Sequence, residues 1–407
     1  MGNSALTLTP AAPSQPLKIF ISTGEVSGDL QGALLVQALY RQAQILGIPL
    51  EITALGGDRM AAAGATLLGD TTAVGSVGIF EALPYLIPAL RFQGQARQYL
   101  GLNPPDLVVY IDYMGPNLSL GKFVRRALPH VDTAYYISPH QWVLAINRKD
   151  TEALVAIADQ MLAIFPQEAT YYREFGAQIT WVGHPLLDRF SPPPDPLQAR
   201  QQLGLKPEDK VVVLVPASRG QEMVRVLPPI LAAAKLIQAT DPQVKFLVPL
   251  SRPALKAGLA AAIADSGLTA TLVDQDTQAA IAAADVALTK SGTVNLEIAL
   301  MNVPQVVTYC LNPITARIAY YLLKLKAPFV SPVNLVLEEG IVPEYIQWQA
   351  TPTALADAVL TLLKDPTARA QMQADYGRLR QILGEPGACD RAAQLLLAQA
   401  RSPEAIS

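Results

Sequence analysis

The segment from Lys18 to Leu30, Lys-Ile-Phe-Ile-Ser-Thr-Gly-Glu-Val-Ser-Gly-Asp-Leu, constrains this chain more than any other. Its apolar start is strand-like, Gly24 breaks the run, and the pattern turns helical through Gly28. A strand that hands over to a helix through a short Gly-containing turn aims the helix's free amides outward. That is the entrance of a nucleotide- or sugar-binding α/β domain. The turn carries Glu25, Ser27 and Asp29 and lacks the G-x-G-x-x-G spacing of a dinucleotide site, so its polar load suits a hydroxyl-rich ligand. Helix capping is the alternative role for Ser27 or Asp29.

The strand-then-helix alternation continues from end to end. Strands are expected near 17–23, 51–56, 106–112, 132–138, 160–165 and 179–183, then near 210–216, 244–250, 269–273, 285–289 and 305–309, with helical segments such as 221–240 between them. Such alternation means parallel sheet covered by helices on both faces. At 407 residues the chain exceeds what one core usually serves. Three consecutive prolines in Ser191-Pro-Pro-Pro-Asp-Pro196 mark a semi-rigid linker. The plan is therefore a disordered tail over 1–16, a Rossmann-like domain over 17–190, the linker 191–196, a second Rossmann-like domain over 197–352, and helices over 353–407 that pack back across the cleft. Ligands of open α/β sheets bind beyond the carboxyl ends of the strands, which here puts them between the domains.

Composition excludes several classes. A net charge of −3 with interspersed signs gives no footprint for nucleic acid. Cys310, Cys389 and three scattered histidines make neither a disulfide framework nor a zinc site, and they fit a reducing cytoplasm. No apolar run reaches the roughly 18 to 20 residues of a membrane span. The first 16 residues lack the pattern of a secretory signal.

Several groups can carry chemistry. Asp112 closes the run Asp106-Leu-Val-Val-Tyr-Ile-Asp112, where a carboxylate at a strand's carboxyl end can act as general base; capping the following turn is the alternative. Ser218-Arg219-Gly220 and Ser291-Gly292-Thr293, with Glu297 one turn further on, both follow strands and open helices. Two such termini with Arg219 suit a pyrophosphate, and Glu297 suits a ribose diol. Asp274-Gln-Asp276 has the look of a metal-binding D-x-D, although capping of a helix over 276–284 explains Asp276 more simply. The segment 74–90 is apolar and broken by prolines and glycines, as in an interfacial or lipid-accepting element; alternatively Ile79, Leu83, Leu86 and Leu90 face the core at helical spacing. His184, just before the linker, reads as a hinge and cleft residue, since no Ser or Cys elbow accompanies it.

Taken in order, these pieces resemble the lipid-A-disaccharide synthase family over about residues 17 to 400. The matching runs are Gly24-Glu-Val-Ser-Gly-Asp29, Gly56-Gly57 with Arg59-Met60, Val77-Gly-Ile-Phe-Glu81, Ile111-Asp112, Tyr136-Ile-Ser-Pro139 with Trp142, Val182-Gly-His-Pro185, Ser218-Arg-Gly220, Ser291-Gly-Thr293 with Glu297, and Val330-Ser331 with Asn334. The resemblance implies a metal-independent, inverting GT-B glycosyltransferase, without cofactor, that joins UDP-2,3-diacylglucosamine to 2,3-diacylglucosamine 1-phosphate (lipid X). It implies Asp112 as base, Glu25 and Ser27 as further catalytic residues facing the cleft from the acceptor domain, and Ser218, Arg219, Gly220, Ser291, Gly292, Thr293, Glu297 and Asn334 on the UDP side. Ile79, Phe80, Leu83 and Leu86 are the expected lipid-side residues. The expected setting is the cytoplasmic face of the inner membrane, with a homodimer left open.

The chain departs from the family around the acceptor. Ile-Asp-Ala-Pro-Asp-Phe-Asn becomes Ile111-Asp-Tyr-Met-Gly-Pro-Asn117, Ser-Pro-Ser-Val-Trp-Ala-Trp becomes Ser138-Pro-His-Gln-Trp-Val-Leu144, and Ser-Leu-Pro-Asn becomes Ser331-Pro-Val-Asn334. Lys290, commonly Ala, adds a candidate phosphate contact. Two other classes share the frame: a UDP-sugar epimerase or hydrolase, and a non-catalytic nucleotide-sugar or lipid-binding paralogue.

Overall fold

The computed structural model describes residues 15–72, 86–143, 147–312 and 329–401. Their strands form two sheets in which every pairing is parallel. The first holds β1 (Leu17–Ser22), β2 (Leu50–Gly56), β3 (Thr66–Asp70), β4 (Leu107–Ile111), β5 (Asp132–Tyr136), β6 (Gln160–Ala163) and β7 (Ile179–Trp181), in the order β3-β2-β1-β4-β5-β6-β7. The second holds β8 (Val211–Val215), β9 (Lys245–Pro249), β10 (Ala270–Val273), β11 (Val286–Lys290), β12 (Gln305–Tyr309) and β13 (Glu344–Ile346), in the order β10-β9-β8-β11-β12-β13.

Burial follows from the coverage on both faces. The central runs Ile19–Ile21, Leu107–Ile111 and Val211–Leu214 are wholly buried, which is why they read as continuous apolar stretches. Strand order reverses between β1 and β4 in one sheet and between β8 and β11 in the other. These two switch points place the Gly24 turn beside Asp112, and the Ser218 turn beside Ser291. The loops that matter therefore meet at two crevices facing each other.

Three features differ from the sequence expectation. The edge strands β3 and β13 were not anticipated: both are short, and their residues are half-buried or exposed, so neither carries an apolar run. The expected helix over 221–240 is two helices, Gly220–Arg225 and Leu227–Thr240, because Pro228 and Pro229 supply no N–H to a continuing ladder and fit a helix's first turn. The end of the expected linker is helical, since Asp195 caps a helix Pro196–Gln202 by accepting from the Leu197 N–H. Arg200 of that helix pairs with Asp285 at 2.9 Å, at the start of β11.

The chain's last helices link the domains. Pro352–Lys364 packs on Leu227–Thr240 in the second domain, and Pro366–Leu383 packs beside Val294–Leu300. Ala388–Gln399 then lies on the first domain's helix Val26–Ile45, with Arg41 and Asp390 at 2.9 Å. Its first turn is held by Asp188, whose carboxylate accepts from the Ala388 and Cys389 N–H groups at 3.1 and 2.8 Å. Residues 1–14 and 73–85 lie outside the described residues, and with them most of the expected tail and Ile79, Phe80 and Leu83. Leu86 opens the helix Leu86–Leu102, on which Leu90 is 69% exposed; Leu90 is therefore not a core residue.

Candidate active site

Between the two switch points lies a cleft of about 460 Å³, lined from both domains. Glu25, Ser27, Asp112 and His184 line it on one side and Ser218, Arg219, Lys290, Ser291, Gly292, Thr293 and Glu297 on the other.

On the first domain's side, Asp112 and Tyr113 adopt φ values of 45° and 50°, which turn the chain sharply at the end of β4. Burial raises the Asp112 carboxyl from its ordinary range to about 6, against the pull of the Tyr113 N–H and the Arg219 charge. Glu25 precedes the helix Val26–Ile45 with φ 109°, and burial raises its carboxyl too, opposed chiefly by Arg219. Gly24 leaves the space that the Tyr113 ring fills: a Cβ there would come within 2.2 Å of Tyr113 Cε1. Ser27 faces the cleft, as expected. Asp29 does cap a helix, but a neighbouring one: its carboxylate accepts from the N–H groups of Gly57 at 2.8 Å and Met60 at 3.1 Å, around the start of Asp58–Ala62.

On the second domain's side, Arg219 Nη2 reaches Glu25 Oε2 at 2.5 Å. Behind it lies Glu222, 3% exposed and unanticipated from the sequence. Glu222 Oε2 accepts from the Ser218 N–H at 2.6 Å, the Ser218 hydroxyl at 3.1 Å and the Arg219 N–H at 3.1 Å, while Oε1 meets Lys290 Nζ at 3.1 Å. One buried carboxylate thus shapes the Ser218 turn and anchors the buried Lys290 ammonium, whose own pKa is lowered by burial. Glu222 stands three residues after Arg219 and accepts from its N–H, which is only the acidic half of a capping box, since Arg219 has no accepting side chain. The Ser291 hydroxyl donates to the Val330 carbonyl at 2.7 Å. Glu297 faces Arg189 at 3.6 Å, and burial raises its carboxyl.

Not every other expected residue turns toward the cleft. Asn334 is buried and fully engaged: its Nδ2 donates to Val342 O at 2.9 Å and Glu344 Oε1 at 2.8 Å, and its Oδ1 accepts from Ile341 and Val342 N–H at 2.9 and 3.0 Å. That leaves no donor for a nucleotide, so Asn334 orders the loop before β13. Gly220 starts its helix without lining the cleft. Asp276 precedes Thr277–Ala282 at φ 53°, but its side chain makes no capping bond, and Asp274 pairs with Lys256 at 2.5 Å. His184 sits in the cleft wall, and its Nδ1 accepts from the Leu186 N–H at 3.2 Å; burial lowers its pKa to about 3, so it is neutral at physiological pH.

Residues 19–399 match the lipid-A-disaccharide synthetase family. The chain belongs to this family. It is 50% identical over 381 residues to a lipid-A-disaccharide synthase of Gloeothece citriformis, covering 94% of this chain and 99% of that one. The corresponding enzyme of Synechocystis sp. is 48% identical over 383 residues, covering 94% and 97%. Among solved structures, the glycosyltransferase of kitacinnamycin superposes with a TM-score of 0.60 at 17% identity, covering 95% of this chain and all of that one. The UDP-bound S. aureus MnaA superposes at 0.62 with 14% identity, covering 92% and 94%. This member of the lipid-A-disaccharide synthase family is accordingly a glycosyltransferase of GT-B architecture, two doubly wound domains with a helical C-terminal segment.

Proposed function

We propose that the chain transfers diacylglucosamine from UDP-2,3-diacylglucosamine to the primary hydroxyl of 2,3-diacylglucosamine 1-phosphate, giving lipid A disaccharide 1-phosphate and UDP. The observation that carries this reading is the meeting of Asp112 and Glu25 with Arg219 and Lys290 in one interdomain cleft. Asp112 takes the hydroxyl proton, the oxygen forms its bond to the anomeric carbon from the face opposite the nucleotide, and the bond to UDP breaks. The charge gathering on the pyrophosphate falls to Arg219 and Lys290, which act in a site shielded from bulk water. Glu297 is suited to the ribose diol.

These two cations give the leaving group its electrostatic partner, so transfer on this reading needs no metal. Among the described residues no three His, Cys, Asp or Glu side chains gather as ligands. Attachment to the cytoplasmic face of the inner membrane is reversible on this reading. No helix among the described residues is long and apolar enough to cross a membrane, and the helix Leu86–Leu102 offers exposed Ile87 and Leu90.

Product analysis with labelled UDP-diacylglucosamine, with and without lipid X, tests the reaction. A labelled disaccharide that requires lipid X supports it. Isomerised or free sugar without lipid X gives an epimerase or hydrolase instead, and no turnover gives a binding paralogue.

A further inference from the structure

The backbone at Asp112 is unusual in a way that bears on its proposed role as base. Asp112 and Tyr113 are consecutive residues in the left-handed region; an aspartate visits it on occasion and a tyrosine seldom, and neither is glycine. Such a pair is unfavourable by itself and persists only where the surroundings over-determine it.

Those surroundings are a buried polar knot. Asn117, completely buried, donates Nδ2 to the Asp112 carbonyl at 2.8 Å and to the Ile111 carbonyl at 3.2 Å. Its amide is oriented by Ser22 at the end of β1, whose hydroxyl donates to Asn117 Oδ1 at 2.7 Å. From β5, the buried Tyr135 hydroxyl donates to the same Asp112 carbonyl at 2.6 Å. On the other side of the residue, the Asp112 N–H donates to the Ile137 carbonyl at 2.9 Å. Both peptide groups flanking the Asp112 Cα are therefore fixed by groups from neighbouring strands and from the helix Met114–Ala127. Only the side chain's own torsions are left to the carboxylate.

A plain helix start would not need this arrangement. The carbonyl that the ladder uses first is that of Tyr113, which accepts from the Asn117 N–H at 3.2 Å. The Asp112 carbonyl lies one residue outside, and two buried side chains from different elements converge on it. We infer that Asn117 and Tyr135 are positioning residues for the transfer, clamping the Asp112 carbonyl so that its carboxylate points at the acceptor hydroxyl. The inference rests on Asp112 being the base. A displacement of about 1 Å at a reacting group can cost on the order of 100-fold in rate, so a clamp of this kind is visible in turnover.

Tyr135→Phe tests it with least disturbance, because the ring and its packing on Tyr110 at 5.7 Å remain while one donor is lost. Expected is a fall in kcat of about 10-fold with the KM for UDP-diacylglucosamine and the affinity for UDP unchanged, and about 100-fold in Asn117→Ala. The acid limb of the kcat profile should also move in both variants, which lost stability alone would not cause. Unchanged kcat and pH profile in Tyr135→Phe overturns the inference, and that variant decides alone where Asn117→Ala does not fold. Asp112→Asn is assayed beside them. If Asp112→Asn is inactive while Tyr135→Phe is fully active, positioning fails and the base stands. If Asp112→Asn keeps its turnover, the base fails and the inference falls with it.

Discussion

Arg219 and Glu25 face each other across the cleft at 2.5 Å, one from each domain, each about one-fifth to one-quarter exposed. The pair closes the cleft with the same guanidinium that is proposed to receive the donor's pyrophosphate. Donor binding and the Glu25 contact therefore compete for Arg219, and the two residues should respond to mutation with different signs.

Arg219→Ala should weaken UDP binding by about 1.5–3 kcal/mol, the range for a charge-assisted hydrogen bond. Glu25→Gln removes the competitor, so UDP affinity should hold or rise while turnover falls. Calorimetry on the two variants reads both effects. Unchanged UDP affinity in Arg219→Ala would take the guanidinium out of the nucleotide site.

Asp112→Asn should lower turnover by about 100-fold or more with UDP affinity kept. In the native chain, turnover should fall as the pH drops below about 6, where the half-buried carboxyl takes up its proton. Stability should change the other way. Between the ordinary carboxyl value of 3.8 and about 6, the folded chain holds a proton that the unfolded chain has released, so stability declines as pH rises through that window. At pH 8 the Asn variant should thus be more stable than the native chain by up to about 3 kcal/mol, with the gain gone near pH 3. Denaturant melts at the two pH values check this, and a less stable variant at pH 8 would contradict it.

Much of this site was legible because topology does the assembling. Parallel strands with a switch point bring their carboxyl-end loops together, so Glu25, Asp112, Arg219 and Ser291 were found from strand ends alone. Residues that act behind the surface were not. Glu222 looked like any helix carboxylate, and its capping-box spacing does not say that the same group also holds Lys290 from a different strand. Asn117 and Tyr135 lie on separate elements, and nothing local in the sequence joins them to the Asp112 carbonyl. Asn334 stands apart for the opposite reason: a polar residue in a family motif suggests a ligand contact, whereas its side-chain hydrogen bonds go to the segment 341–344.

Asn334→Ala should therefore act on stability before it acts on the nucleotide. The change leaves partners on buried Val342 and half-buried Ile341 and Glu344 without their hydrogen bonds, a loss of about 2–4 kcal/mol. Thermal melting should drop clearly, and the folded fraction should bind UDP within about threefold of the native chain. A normal melting temperature combined with lost UDP affinity would restore Asn334 to the nucleotide site.

Activity should survive a chelator, since Arg219 and Lys290 supply positive charge and Asp274 is already paired with Lys256. Assays in EDTA, with magnesium or manganese added back, check this. Loss in EDTA with recovery on metal would assign Asp274 and Asp276 a role that their pairing and turn geometry do not suggest.

Membrane attachment can be tested on the helix Leu86–Leu102, where Ile87 and Leu90 are 71% and 69% exposed three residues apart on one face. Burying one such side chain in an apolar phase contributes about 1.5–3 kcal/mol, so the pair favours reversible seating on a bilayer without insertion. Replacing both with Ser should reduce sedimentation with anionic vesicles and raise the apparent KM for the lipid acceptor. UDP affinity and melting temperature should stay as they are, because neither side chain is buried in the folded chain. Vesicle binding that survives the double substitution would place the lipid-facing surface elsewhere. A lower melting temperature would instead show these side chains holding the fold together.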